Sequence, residues 1–341
     1  MLKGVANLKK NTWIILGIAL VLILIPIFIS SGYIIQSLIM VLLYAYWASA
    51  WNIIGGYGGQ LSIGHATYAG VGAYVTAIMF MEYNISPWFG MIIGGFLAGL
   101  LALIIGYPCF KLKGSYFTLS TVALANVIRI IVLQEDTLFG FQTNGAMGIK
   151  VPWYGGSFMD FQFMDKRAYY YIILVMLALI TIISKKIKNS KMGYYLASIN
   201  TNQEAASSLG VNVSSYKLRA MFISAFLTAL GGAFYAMLIQ FIDPERLLGY
   251  TLSVEIMTLA IVGGRGTLIG PLLGAFIMVP ISEFSRSYLG TSLSGISNII
   301  YGLVLMLVVF FLPGGFASLI GELEKGTKNK NISKKEVSNN A

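Results

Sequence analysis

The 341 residues are 57% hydrophobic and only 11% charged, a balance more apolar than that of a water-soluble globule, whose residues are about half apolar. A net charge of +10 does not point to nucleic acid, because the basic residues form no stripe interleaved with aromatics. The single cysteine, Cys109, excludes a disulfide framework or a cysteine-based metal site within one chain.

Helices are predicted at 12–30, 33–54, 61–81, 88–108, 115–133, 168–184, 218–240, 251–263, 268–289 and 295–313, mostly apolar runs able to cross a hydrocarbon core of roughly 30 Å. The expected fold class is therefore all-α: a polytopic transmembrane helical bundle of about ten spans, one or two of them short or interrupted. The first run follows Lys3, Lys9 and Lys10 and has the flanks of a signal peptide. Its apolar stretch from Trp13 to Ile29 nevertheless exceeds the roughly 7 to 15 residues of a cleaved core, so it is read as a retained helix. Segment 251–263 is too short to span at about 1.5 Å per residue and reads as half of a broken or re-entrant helix.

Charge sorts the connections. With the N-terminus in the cytoplasm, 17 basic and 4 acidic residues fall on the cytoplasmic side, against 5 basic and 8 acidic outside, as the positive-inside rule requires. The cytoplasmic set holds Lys111 and Lys113, then Lys185, Lys186, Lys188, Lys191, Lys217 and Arg219, then Arg265 and the lysine-rich tail from Lys325. The expected organisation is a cytoplasmic N-terminus over 1–11, one transmembrane domain over 12–313 and a cytoplasmic tail over 314–341. Within that domain 135–167 lies outside and 185–217 forms a cytoplasmic loop. Gly326–Ala341 has no apolar period to bury and is expected to be disordered.

Gly55, Gly56, Gly58, Gly59, Gly64, Gly70 and Gly72 crowd the entrance of the third span. Glycine permits positive φ and close backbone approach, so the helix is expected to unwind there and offer backbone groups to a pathway. The competing reading is tight packing, since Ala66 with Gly70 and Ala69 with Ala73 have the small-xxx-small spacing of close helix contacts. A second cluster, Gly263, Gly264, Gly266, Gly270 and Gly274, repeats the Gly-Gly-x-Gly pattern that starts at Gly55, as a degenerate parallel repeat would.

Gln60, Ser62, His65, Asn126, Arg129 and Glu255 are the polar candidates at membrane depth, where ionisable groups usually face a cavity or a partner. The candidate pathway residues are Gly58, Gly59, Gln60, Ser62, His65 and Glu255. Arg129 is expected to snorkel from an external helix end, and Glu255 fits a pathway group or a helix-end group equally. His65 is the only histidine, which suits a structural hydrogen bond better than a proton relay or a metal ligand.

Further along, 193–216 is polar and reads as a short helix ending at Gly210, capped by Asn200 or Thr201, with Glu204 near the positive end of its dipole. Leu209 and Val211 would be exposed there unless they meet a partner.

Glu204-Ala205-Ala206, followed four residues later by Gly210, resembles the cytoplasmic loop of ATP-binding-cassette (ABC) import permeases that docks on the ATPase. Asn52-Ile53-Ile54-Gly55-Gly56-Tyr57-Gly58-Gly59-Gln60-Leu61-Ser62-Ile63-Gly64-His65-Ala66 looks like the signature of branched-chain amino-acid permeases. The stretches 112–117, 143–149, 263–267 and 311–316 match the same family, and the resemblance covers residues 35–320. Where that family is often charged just before the Glu, this chain has Asn200-Thr201-Asn202-Gln203.

The resemblance implies a pump of two different permease chains, two ABC ATPase subunits and an extracytoplasmic substrate-binding protein. It would carry branched-chain amino acids across a bacterial inner membrane, with Glu204, Ala205, Ala206 and Gly210 coupling to the ATPase. No catalytic residue, cofactor or metal is implied for this chain. No Gly-Lys dipeptide occurs in the sequence, so the Walker A loop that cradles ATP phosphates is missing and hydrolysis falls to other chains. A urea or sugar/nucleoside ABC permease shares the architecture. A proton-coupled secondary transporter is a different class and needs relay groups along the path, for which only Glu255 and His65 offer themselves. A membrane enzyme would need paired carboxylates, metal-spaced histidines or a nucleophile motif, and the spans carry none.

Overall fold

Every apolar run read from the sequence carries a helix. The computed structural model describes residues 17, 20–29, 31–112, 114–138, 140–289, 296–312 and 314–319. The expected N-terminal segment 1–11, Lys113 and the tail beyond 319 lie outside the described residues.

The first helix, α1, covers residues 20–28. It is followed by α2 (Gly32–Asn52), α3 (His65–Tyr83), α4 (Pro87–Cys109) and α5 (Ser115–Gln134). Next come α6 (Lys166–Lys188), the short α7 (Lys191–Thr201) and α8 (Gln203–Ser208), and then the long α9 (Val213–Ile239). The chain continues through α10 (Pro244–Leu247), α11 (Tyr250–Gly264), α12 (Gly270–Leu289) and α13 (Ile296–Phe311). Strand structure among the described residues is confined to two antiparallel pairs of two-residue strands, Thr137–Leu138 with Phe141–Gln142 and Ile149–Lys150 with Phe241–Ile242.

Six stretches among the described residues are long and apolar enough to cross a membrane: Gly32–Tyr57, Pro87–Cys109, Ser115–Gln134, Lys166–Lys188, Val213–Ile239 and Pro244–Gly264. The last of these contains the segment 251–263 and is broken at Leu248–Gly249, between the short α10 and α11, as the reading of half a broken helix expects. Asp243 caps α10 through the Glu245 N–H at 2.9 Å and Pro244 opens it, so α10 and α11 together run 21 residues. At about 1.5 Å per residue that length matches the hydrocarbon core.

The bundle is organised around α2, whose apolar window is 89% buried and which packs on α6, α9, α11 and α12. Its aromatic residues are tied down by their polar ends: the Tyr46 hydroxyl donates to the Leu227 carbonyl at 2.9 Å and the Trp47 indole N–H to the Thr228 carbonyl at 3.1 Å. Beside it α3, α4 and α9 form the tightest group. Lipid supplies no hydrophobic drive between helices, so close packing through small residues must hold them. A Cβ at Gly232 would fall on the Ala69 carbonyl, one at Gly72 on the Ala229 carbonyl, and one at Gly94 would lie 3.2 Å from the Gly72 Cα. The packing reading of this glycine-rich face is therefore correct for Gly72, and equally for Gly70, whose Cβ would meet the Leu248 side chain.

The two ends of the bundle differ in charge. One end gathers Lys111, the lysines at the close of α6, the start of α9 and the turn after α11; it is called the basic end below. The opposite end carries 135–165, where Trp88 packs on Phe158 and Phe161 and donates to the Phe158 carbonyl at 2.8 Å.

Replacing Gly232 by valine is expected to force α3 and α9 apart at a cost of about 1–3 kcal/mol or more. It should lower both the yield in membranes and the thermal unfolding temperature of the detergent-purified chain. Gly302→Ala, where a Cβ meets nothing within 4 Å, should leave both unchanged.

Candidate coupling and translocation sites

At the basic end α2 does not stop cleanly. Its last residues pass into one turn of π-helix, Ile53–Tyr57, and the chain then runs without helical hydrogen bonding from Gly58 to Gly64. Gly59 makes this turn at φ +67°, a conformation that a side chain resists. The unwinding read from the glycines is present.

The unwound backbone is mostly occupied, however. The Trp51 indole N–H donates to the Ser62 carbonyl at 2.7 Å, the Thr118 hydroxyl to the Leu61 carbonyl at 2.8 Å, and the Ile63 N–H to the Thr121 hydroxyl at 3.2 Å. The Gln60 side-chain amide reaches back to the Gly58 carbonyl at 3.4 Å. Groups expected to wait for a substrate are thus used by α5 and by the segment itself, because an unpaired backbone group at membrane depth is costly.

Ser62 and His65 are fully enclosed. His65 Nε2 lies 2.8 Å from the Ser224 hydroxyl, which donates its own hydrogen to the Ala50 carbonyl at 2.7 Å. The hydroxyl therefore accepts from His65, and Nε2 carries the ring hydrogen. Nδ1 is left as an unpartnered acceptor. In this arrangement His65 clamps α2, α3 and α9 together, as the structural reading expects.

The two glycine clusters, distant in sequence, meet here. The Asn52 side-chain amide donates to the Thr267 carbonyl at 2.9 Å and its Oδ1 accepts from the Gly266 N–H at 2.8 Å. A Cβ at Gly56 would collide with Asn52 and approach the Gly266 nitrogen. Thr267 then accepts from the Gly270 N–H at 2.9 Å, starting α12.

Against this junction sits the loop carrying Glu204, which holds two helices where one was expected. Ser190 caps α7, and Asn202 caps α8 by accepting from the Glu204 and Ala205 N–H groups, each at 3.0 Å. The cap is thus Asn202, in place of the expected Asn200 or Thr201. Asn200 faces inward instead, its amide 3.5 Å from the Gly56 carbonyl. Gly210, at φ +85°, closes α8 as read.

Of the four coupling candidates, Glu204, Ala205 and Gly210 are exposed and Ala206 is buried as the anchor of α8. Leu209 is 85% exposed. Lys217, only 2% exposed, reaches from α9 to donate to the Gln203 side-chain Oε1 at 2.7 Å and lies over the Phe110 ring.

Glu255 lies within the bundle, on α11 facing α2. Its Oε2 accepts from the Tyr44 hydroxyl at 2.8 Å, and Arg246 is within electrostatic reach of Tyr44, Tyr235, Glu255 and Glu283. Two residues earlier on α11, the Ser253 hydroxyl accepts from the Ala66 N–H at 2.8 Å, so Glu255 stands close in the chain to the contact that joins α11 to the start of α3 beside His65. Arg129 pairs with Glu245 on α10 and contacts Asn126 at 3.4 Å, so it is held by a partner and does more than snorkel. Sequence reading singled out neither Tyr44 nor Arg246, and it named Asn52 only within the family signature and Lys217 only within the basic set. The available signal was a lone amide at the end of an apolar run for Asn52; the others declare themselves only through their partners.

These features define a multi-pass helical membrane protein with polar contacts buried between its helices. The chain belongs to the family described as branched-chain amino acid transport system / permease component, whose model matches residues 33–311. It is similar to the high-affinity branched-chain amino acid transport system permease protein LivM of Escherichia coli (strain K12), with 23% identity over 77% of this chain and 65% of that relative's length. LivM of Salmonella typhimurium is 21% identical over 90% of this chain and 75% of its own length. A probable branched-chain amino acid transport permease protein LivH of Methanocaldococcus jannaschii is 25% identical over 71% of this chain and 76% of its own. No solved structure matches the chain.

Asn52→Leu should leave the Gly266 N–H unpaired, at about 1–3 kcal/mol. Hydrogen–deuterium exchange of residues 264–270 is expected to accelerate severalfold while α3 and α4 stay protected; unchanged exchange would show that Asn52 does not hold this turn.

Proposed function

We propose that this chain is the membrane-spanning permease subunit of an ABC importer that carries branched-chain amino acids inward across the bacterial inner membrane. Family membership supports the class. The observation that carries the mechanism is α8: a short capped helix at the basic end, presenting Glu204, Ala205 and an 85% exposed Leu209 while pinned from beneath by Gln203–Lys217. A large apolar side chain held out on an anchored helix is suited to burial in a partner, and the partner proposed is an ABC ATPase chain. The basic end is then cytoplasmic, both termini lie on that side, and a second permease chain and an extracytoplasmic binding protein complete the pump.

In this reading ATPase closure pushes on α8. The push reaches α9 through Lys217 and the unwound turn through Asn200 and Gly56, and Asn52 hands it on to the start of α12. Gly58, Gly59 and Gln60 line the moving part of the pathway, while Ser62 and His65 keep its shape. Glu255, with Tyr44 and Arg246, offers groups of both signs to a zwitterion within the bundle. The walls between are apolar, which suits a leucine-like side chain.

Leu209→Ala removes a side chain that contributes nothing to the chain's own core. Its burial in a partner is worth about 1.5–3 kcal/mol, so ATPase affinity is expected to fall roughly tenfold or more, and Glu204→Lys or Gly210→Val should act in the same direction. The check is leucine uptake and substrate-stimulated ATP hydrolysis by the reconstituted complex at equal membrane abundance. Normal uptake in all three variants would reject α8 as the docking helix.

A further inference from the structure

Between α4, α7 and the first turns of α9 an open groove of about 620 Å³ remains unfilled, within the size range of small-molecule sites. Its floor is apolar, made by Leu103, Met192, Leu218, Phe222 and Ile223. Its rim is polar and carries one charge, with Asn212, Ser214 and Ser215 beside Arg219. The Arg219 guanidinium rests over the Tyr216 ring, 5.4 Å from its centroid, and has no carboxylate partner among the described residues.

We propose that this groove binds an anionic phospholipid, the phosphate on Arg219 and the rim hydroxyls, an acyl chain along the apolar floor.

Position and charge select this occupant. Phe222 lies nine residues into α9, about 14 Å from its start at about 1.5 Å per residue, so the floor descends into the membrane-spanning part of the bundle. There it continues onto the exposed face of α4 formed by Phe96, Leu100 and Ile104, a surface that meets acyl chains. A free phosphate would leave this floor bare, and a water-soluble ATPase cannot follow it to that depth. No acidic residue lines the groove, and Lys188 and Lys191 stand just before Met192, adding to a field that attracts anionic headgroups. The assignment holds whatever substrate the pump carries.

The test uses the full chain, purified from membranes with its copurifying partners and examined by native mass spectrometry. Phosphatidylglycerol and phosphatidylcholine of identical acyl chains are added in parallel. Phosphatidylglycerol should be retained at least tenfold more tightly. Arg219→Gln should abolish that preference, and Leu103→Trp, which fills the floor and keeps the charge, should weaken retention of both lipids. Millimolar inorganic phosphate should not displace the bound lipid. Equal retention of the two lipids by the unaltered chain, unchanged binding in both variants, displacement by phosphate alone, or a photocrosslinker at position 219 capturing a protein instead of lipid would each overturn the proposal.

Discussion

An unpaired backbone N–H or C=O cannot be left in hydrocarbon, and the stretch between Asn52 and His65 is where this chain tests that constraint. The helix opens through a π turn and the ladder is lost, so partners must come from elsewhere. Thr118 and Thr121 on α5, Trp51 on α2 and Asn200 on α7 supply them. The positions of α5 and α7 against the core are therefore bound up with satisfying one irregular segment. That segment joins the most buried helix to the rest of the bundle.

Close packing performs a related task. Where α3, α4 and α9 meet, glycines let one backbone touch another, and the side-chain volume that would separate the helices is missing. The same economy holds at the basic end, where Gly56 and Gly266 allow Asn52 to bridge two strands of backbone that any larger residue would push apart. Contacts of this kind tolerate few intermediate positions. A displacement of α7 or α8 is thus transmitted as a shift of the π turn and the α11–α12 connection instead of being absorbed locally.

Polar chemistry is divided along the molecule. At the basic end amides, hydroxyls and one buried lysine connect the peripheral α7 and α8 to the core. At the other, Arg129 pairs with Glu245, and within the bundle Tyr44 donates to Glu255. For an importer subunit the basic end, with α7 and α8, is where the proposed ATPase movement is received. The lipid groove beside Arg219 would place a further anionic contact next to the moving segment.

By itself the sequence determined the class of the fold, the approximate extent of its helices, the gathering of lysines at one end and the family. These depend on local quantities: the length of an apolar run, the count of charges in a loop, a contiguous motif. The end of α8 at Gly210 was legible for the same reason, since a glycine closing a helix acts within a few residues. The cap was missed by one or two positions because Asn200, Thr201 and Asn202 all have suitable side chains, and the choice among them turned on the contact of Asn200 with Gly56, 144 residues away in sequence. The meeting of the two glycine clusters through Asn52, the enclosure of Ser62 and His65, the pairing of Tyr44 with Glu255 and the addition of α10 ahead of α11 were likewise decided only by the tertiary structure. Each depends on which distant groups come within hydrogen-bonding or packing distance once the helices are side by side, and spacing along the chain carries no record of that.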